Sequence, residues 1–439
     1  MKALTLTTCA CLMSGMALAA PRVANVSFAQ TADRLVTVTY DLLDEDAIVT
    51  VDIQTNVTGT AEGDAYASIG GANIRCVTGD SNKFVAAGNG RKLYWQADKS
   101  WEGHVFKEPM VRAVVTARAK NSPPDYMVVE LNDYGAEKNS GEFLRFYDSE
   151  DHLPEGIASD IYRTEKIVMR RIPAAGKEFV MGSPEGEYQR SAANEYPIKV
   201  LFTNDWFMSV FELTQMQYCR AMTNDVAKYS TVNKSTWKTE TNWQVLPMSN
   251  TSCADDRGVV NKGWNWPTNG HDVDPASTMG RLRAVTGIDF DLPTEPQWEF
   301  CCRAGTTGPN YNGAIITSTS ATETWRLLSD IAWYSGNSGN KPHRVGELKA
   351  NDFGLYDMLG NMAERTADWY RVDCRDAGLT QVDPQGPEYG TGVTEHSRRG
   401  SYYGWNACYA RAAKRNSNGH GTAQDYIGIR LICPLTLKW

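Results

Sequence analysis

The chain has 439 residues, 42% of them hydrophobic and 22% charged, with 44 Lys and Arg against 52 Asp and Glu for a net charge of −8. At about 150 residues per domain this length holds two or three domains with cores of their own, and the composition excludes a disordered chain. A mildly acidic chain with no basic stripe and no polybasic run makes a poor nucleic-acid binder and lacks the charge for adsorbing to an anionic membrane.

Residues 1–20 carry one Lys, a short apolar run and Ala17-Leu18-Ala19 as a small-x-small cleavage signal. The run is too short to span a bilayer, so it predicts a signal peptide cut near Ala19 or Ala20 and a secreted or periplasmic protein with no transmembrane segment. Cys9 and Cys11 lie too early in the run for a lipoprotein anchor. Export makes disulfides the default for the eight other cysteines: Cys76, Cys219, Cys253, Cys301, Cys302, Cys374, Cys408 and Cys433. Their spacing contains no CxxC pair, which argues against a zinc site.

Residues 21–131 predict an antiparallel β-sandwich of immunoglobulin or fibronectin type. Val36, Val38, Tyr40 and Leu42 alternate with polar neighbours, as do Val49, Val51 and Ile53. Leu93-Tyr94-Trp95, Val111 to Ala117 and Tyr126 to Leu131 supply further strands, separated by Gly, Asn and Asp clusters. Trp95 is either packing between the sheets or a platform for carbohydrate. Residues 132–164 are polar, with Gly and Pro and no periodicity, which predicts a linker. From 165 to 439 strand patterns are brief and tryptophans frequent. Two helices stand out there, Thr214 to Met222 and Glu295 to Cys302, the second opened by Thr294 and Gln297 as a capping box.

This second region carries a series of motifs in order. Phe179-Val180-Met181-Gly182-Ser183 precedes Glu195-Tyr196-Pro197 and Glu212-Leu213-Thr214. Leu292-Pro293-Thr294-Glu295 leads into Trp298-Glu299-Phe300-Cys301-Cys302-Arg303-Ala304-Gly305-Thr306. Asn351-Asp352-Phe353-Gly354-Leu355-Tyr356-Asp357-Met358-Leu359-Gly360-Asn361-Met362 follows, then Arg399-Gly400-Ser401 and Ile427-Gly428-Ile429-Arg430-Leu431. The series resembles the formylglycine-generating enzyme family, also called the sulfatase-modifying factor domain. That resemblance implies an irregular α+β domain related to the C-type lectin fold, placed after the N-terminal sandwich.

Family oxidases convert a sulfatase cysteine to formylglycine with oxygen and copper, on a pair of thiolates just after the Arg-Gly-Ser motif. Two close thiolates suit a soft copper(I) ion. Here the first position falls on Gly404 and the second at or beside Cys408, so copper is not expected. The resemblance also implies a structural disulfide between Cys302 and Cys408, which closes a loop of about a hundred residues, and one between Cys219 and Cys433. It implies a structural calcium held by the carboxylates of Asp357 and Glu364 and the carbonyls of Gly360 and Met362. The six histidines (His104, His152, His271, His343, His396 and His420) show no local ligand spacing, so the iron chemistry of a second branch of the fold is not expected.

Tyr402, Tyr403, Trp405, Asn406 and Tyr409 open an aromatic and amide-rich stretch that runs on through Asn416, Asn418, His420 and Tyr426. Aromatics give contact area at low entropic cost and amides adapt their hydrogen bonds, so these residues are candidates for a ligand surface. The leading expectation is a non-oxidase binding or surface-associated module for a protein or carbohydrate ligand. The alternative is a formylglycine-generating oxidase with an altered thiol site, in which Cys408 and Ser401 are the catalytic candidates.

Overall fold

The computed structural model describes residues 20–31, 34–58, 65–104, 110–131, 143–317, 326–372, 379–390 and 392–437. The expected signal peptide lies outside them, apart from its last residue.

Eight strands build the N-terminal unit: β1 (Arg22–Gln30), β2 (Leu35–Leu43), β3 (Ala47–Asn56), β4 (Tyr66–Ser68), β5 (Val77–Gly79), β6 (Lys83–Val85), β7 (Gly88–Gln96) and β8 (Val111–Arg118). One sheet runs β1-β2-β7-β5; the other runs β4-β3-β6, with β8 also paired to β3. The alternation in β2 does what the sequence predicts, turning Val36, Val38, Tyr40 and Leu42 onto Val49, Val51, Ile53 and Leu93. Trp95 is fully buried and its Nε1 donates to Ser100 Oγ at 2.9 Å, so it is core and not a carbohydrate platform.

The boundary between the units falls earlier than the composition predicts. β9 (Tyr126–Glu130), assigned by sequence to the sandwich, pairs with β10 (Leu144–Tyr147) and β11 (Lys166–Ile172) in the second unit. The expected linker is likewise folded: its described part, residues 143–164, supplies β10 and buries Tyr162 and Arg163. Its polar composition hid this, because Arg163 is satisfied internally by the carbonyls of Val345, Ile157 and Ser159. The two units are also docked. Ile48, on the outer face of β3, joins the core of the second unit, Thr50 Oγ1 donates to Asp148, and Arg118 pairs with Asp148 at 2.8 Å.

The second unit adds β12 (Glu178–Met181), β13 (Ile198–Leu201), β14 (Trp206–Ser209), β15 (Ala332–Trp333), β16 (Leu359–Gly360), β17 (Ala363–Trp369), β18 (Gln381–Val382), β19 (Glu395–Arg399), β20 (Arg415–Gly419), β21 (Ile427–Ile429) and β22 (Ile432–Pro434). They form small sheets: β10-β9-β11-β14-β22, β12-β13-β18, β15-β16 and β20-β19-β17-β21. Both predicted helices are present, as Gln215–Met222 and Glu295–Arg303, each with a complete Thr–Gln capping box. A third, Thr278–Thr286, is capped by Ser277 and closed by Gly287 at φ 70°. Its weak apolar spacing left it without a signal in the sequence.

Regular structure is sparse, so buried ion pairs hold much of the loop framework. Arg399 reaches Glu299 and Glu295, Arg415 reaches Glu295 at 2.6 Å, Arg411 reaches Glu195 at 2.9 Å, and Arg430 reaches Glu364 at 2.7 Å. Asp368 on β17 is held differently. Its Oδ2 accepts from the Glu295 amide at 2.6 Å, and burial, reinforced by the Glu295 charge, pushes its pKa up to about 8. A raised folded pKa contributes stability below the unfolded value near 4 that is lost as pH rises toward 8. Asp368→Asn keeps an acceptor without the charge. Its unfolding free energy is expected to be flatter than that of the wild type between about pH 4 and 8; parallel curves in urea titrations would show that Asp368 is not protonated in the fold.

Candidate functional site

The late loop begins where β19 ends. Gly400 takes φ 72° beside the Trp298 ring, which turns the chain away from the sheet at Ser401. Ser401 is fully buried and its Oγ has no hydrogen-bond partner, so it is not presented to any substrate. Cys408 lies in the short turn Ala407–Tyr409, also fully buried, and burial pushes its thiol pKa up against the opposing charges of Arg411 and Lys414. A Cβ at Gly404 would meet the Tyr402 ring at 2.7 Å. A second thiol could enter there only by displacing that ring. The loop therefore does not fit a two-thiolate copper ion.

The disulfides implied by resemblance are not formed. Cys302 and Cys408 share one core cluster and Cys219 and Cys433 share another, but all four are free thiols, as are Cys76, Cys253 and Cys301. Cys302 instead points its Sγ at the Met358 carbonyl (3.7 Å) and Cys219 at the Tyr229 carbonyl (3.6 Å). Packing against carbonyls gives each sulfur a neighbour in place of its expected mate. Cys374 lies outside the described residues.

The expected calcium carboxylates are engaged within the protein. Both oxygens of Glu364 are taken by Arg430, and Oε2 also accepts from Trp298 Nε1 at 2.6 Å. The amide of Met362 donates to Glu212, and Gly360 lies against Trp333 in the β15-β16 pair. Asp357 accepts from the Gly346 amide at 2.6 Å, and its other oxygen is buried without a partner. Burial pushes Asp357 up to about 6 and Glu212 well above the usual carboxylate range. The Arg430 guanidinium thus stands among three carboxylates and bonds to Glu364, while Arg163 also acts on Asp357. A calcium ion needs that same carboxylate, so this donor set does not fit it.

What the loop does present is a face of half-exposed rings. Tyr402 stacks on Tyr426 at 4.4 Å and leans on Trp405 at 5.1 Å, and Trp405 meets Tyr409 at 5.4 Å. Asn406 sits at the rim, its Oδ1 accepting from Ser335 Oγ at 3.2 Å. Tyr403 is the exception among the predicted ligand residues: it points inward, 5% exposed, edge-on to Trp237. A turn closed by the Trp405 amide on the Tyr402 carbonyl at 2.9 Å sets it apart from its neighbours.

Two cations that the motif reading passed over complete the face. Arg398 lies over the rings of Trp405 (5.6 Å) and Tyr426 (5.2 Å), and Lys414 over that of Tyr409 (5.4 Å). Arg398 Nε and Nη1 are buried without hydrogen-bond partners, and so is Nδ2 of Asn416, its partner across β19-β20. Only strand register brings these donors together, so no local pattern announces them. A separate cleft of about 770 Å³ is lined by Asp205, Asp272, Asp289, Asp383 and His271. Its carboxylates come from distant segments, and of the sequence motifs only Thr294 and Gln297 reach its wall.

Fold and site together define a formylglycine-generating-enzyme-like domain without the thiol pair. The family model described as sulfatase-modifying factor enzyme 1-like domain matches residues 166–435, and the chain belongs to that family. It is 28% identical over 173 residues to a formylglycine-generating enzyme of Thermomonospora curvata, a match covering 36% of this chain and 54% of that one. It is also 28% identical over 148 residues to the inactive C-alpha-formylglycine-generating enzyme 2 of Bos taurus, covering 32% and 42% of the two chains. The chain thus spans about half the length of these relatives. Among solved structures, Treponema denticola variable protein 1 aligns at 23% identity and a TM-score of 0.43, over 61% of this chain and 95% of that one. Among the described residues no helix is long and apolar enough to cross a membrane.

Proposed function

We propose that the protein is an exported, non-oxidase member of the family that binds a protein or carbohydrate ligand on the face of Tyr402, Trp405, Asn406, Tyr409 and Tyr426. The carrying observation is the set of unpartnered donors of Arg398 set behind half-exposed rings. A buried donor without a partner costs about 1–3 kcal/mol, which an acceptor on the ligand would offset once the Trp405 and Tyr426 rings part to admit it. The rings then supply stacking area for a sugar face or an apolar side chain, and the guanidinium supplies orientation. Gly404 and the buried Cys408 argue against the oxidase alternative. One relative of similar identity is itself described as inactive, consistent with a family that tolerates loss of the chemistry.

The test is a screen of the purified protein on glycan and peptide arrays, followed by titration of any hit. Trp405→Ala and Arg398→Gln are each expected to weaken binding at least about tenfold, or about 1.4 kcal/mol, with the melting temperature nearly unchanged. Unfolding of both variants would make these residues core. Formation of formylglycine in a cysteine peptide by the copper-treated protein would establish the oxidase instead.

A further inference from the structure

Cys253, His396 and His420 are scattered through the sequence and belong to no motif, yet one donor atom from each lies within 4.8 Å of the other two. Cys253 is the first residue of the turn Cys253–Asp256, fixed by the Ser252 capping box. His396 sits on β19, and His420 follows directly on β20. His396 Nε2 and His420 Nδ1 are 3.0 Å apart. We propose that these three residues form a binding site for a soft or borderline d10 cation, Zn2+ or Cu+, through Cys253 Sγ and the two imidazole nitrogens.

The polar frame around the rings carries this reading. His396 Nδ1 lies 3.1 Å from the Ala367 carbonyl, which can only accept, so the proton sits on Nδ1 and Nε2 presents a lone pair. Without a metal, His420 must then donate from Nδ1 to that lone pair. Its Nε2 becomes a bare acceptor, and Nε2 is indeed buried with no partner of acceptable geometry. With a metal the conflict disappears. Both lone pairs and the sulfur converge on the cation, and the His420 proton moves to Nε2.

Trp369 holds both rings in place, 3.8 Å from that of His396 and 5.5 Å from that of His420. Thiolate with imidazole is the donor set that zinc and copper(I) select, and ligands about 2.0–2.3 Å from a metal lie little more than 3 Å from one another. Arg365 and Arg257 act on both imidazoles against positive charge, so the Cys253 thiolate has to supply the negative charge that offsets the cation's. The two guanidiniums are paired with Asp256 (3.3 Å) and Asp291 (2.6 Å). In the metal-free state burial pushes the Cys253 thiol up to about 12, so the metal must displace a proton from it. His420 is only half-buried and is followed by exposed Gly421 and Thr422, which gives the ion a way in and leaves a coordination position for water.

The test is titration of the chelator-stripped, reduced protein with Co2+, followed by displacement with Zn2+, and a parallel Cu+ competition against a chromogenic chelator. One equivalent of Co2+ is expected to give a thiolate-to-cobalt charge-transfer band that Zn2+ bleaches, or one equivalent of Cu+ is retained against the chelator. Cys253→Ser should abolish the band, and half-buried His420→Ala should weaken binding by more than about 100-fold, since even outer partners of a metal ligand cost 10–100-fold. The melting temperatures of both metal-free variants, read alongside, separate ligand loss from misfolding. Wild-type protein that is folded yet gives neither the band nor copper retention overturns the site. So does a band that survives in folded Cys253→Ser.

Discussion

Replacing Arg430 with methionine is expected to remove about 3–5 kcal/mol of folding stability, the scale for breaking a buried ion pair by deleting one partner. Arg430 is fully buried, yet it forms three bonds to Glu364 and donates to the carbonyls of Ser209, Val210 and Tyr356. Burial opposes its charge, but the Glu364 carboxylate more than offsets this and keeps the guanidinium pKa high. Methionine matches the length of the side chain and none of its donors. It leaves the Glu364 carboxylate in the interior with the Trp298 indole as its remaining side-chain donor. Glu364→Gln, which keeps an acceptor for Arg430, should cost markedly less. Urea unfolding followed by tryptophan fluorescence measures both. A loss below about 1 kcal/mol for Arg430→Met would mean that the loops are held by apolar packing alone.

The second large effect depends on pH. Asp291 accepts from Arg257 at 2.6 and 2.9 Å, from His271 Nδ1 at 2.9 Å and from the Leu292 amide at 2.7 Å. Burial would raise its pKa, but the Arg257 charge and these hydrogen bonds overcome burial and hold the carboxyl well below the usual range. A depressed folded pKa contributes stability that is complete above the unfolded value near 4 and is lost as pH falls through the folded one. Asp291→Asn is therefore expected to cost about 3–5 kcal/mol at pH 7. The gap to the wild type should narrow steadily below about pH 4, where the unfolded wild-type chain takes up a proton that the native carboxyl does not. A gap that stays constant down to about pH 2 would show that the substitution perturbs packing and not charge.

The sandwich strands were legible because one buried face imposes a period of two, as in Val36, Val38, Tyr40 and Leu42. The helix Glu295–Arg303 was legible because Thr294 and Gln297 act on a backbone three residues apart. The assignment of β9 to the first unit failed for a different reason: Tyr126 to Leu131 is a correct strand, but its partners, β10 and β11, lie beyond a polar stretch that hid them. In the late loop, composition singled out the aromatic residues and the structure sorted them, turning Tyr403 inward and leaving Tyr402, Trp405 and Tyr409 half-exposed.

The sequence by itself determined the family, the missing thiol at Gly404, and the residues from which a binding face could be made. These follow from residue identity and short spacing, which the chain carries locally. Only the tertiary structure decided how charges and donors are paired: that Glu364 pairs with Arg430, that Nε and Nη1 of Arg398 are buried behind the rings without partners, and that Cys253 meets His396 and His420. Those pairings join residues far apart in the chain. Burial sets their energies, and burial is a property of the packed molecule that no local spacing records.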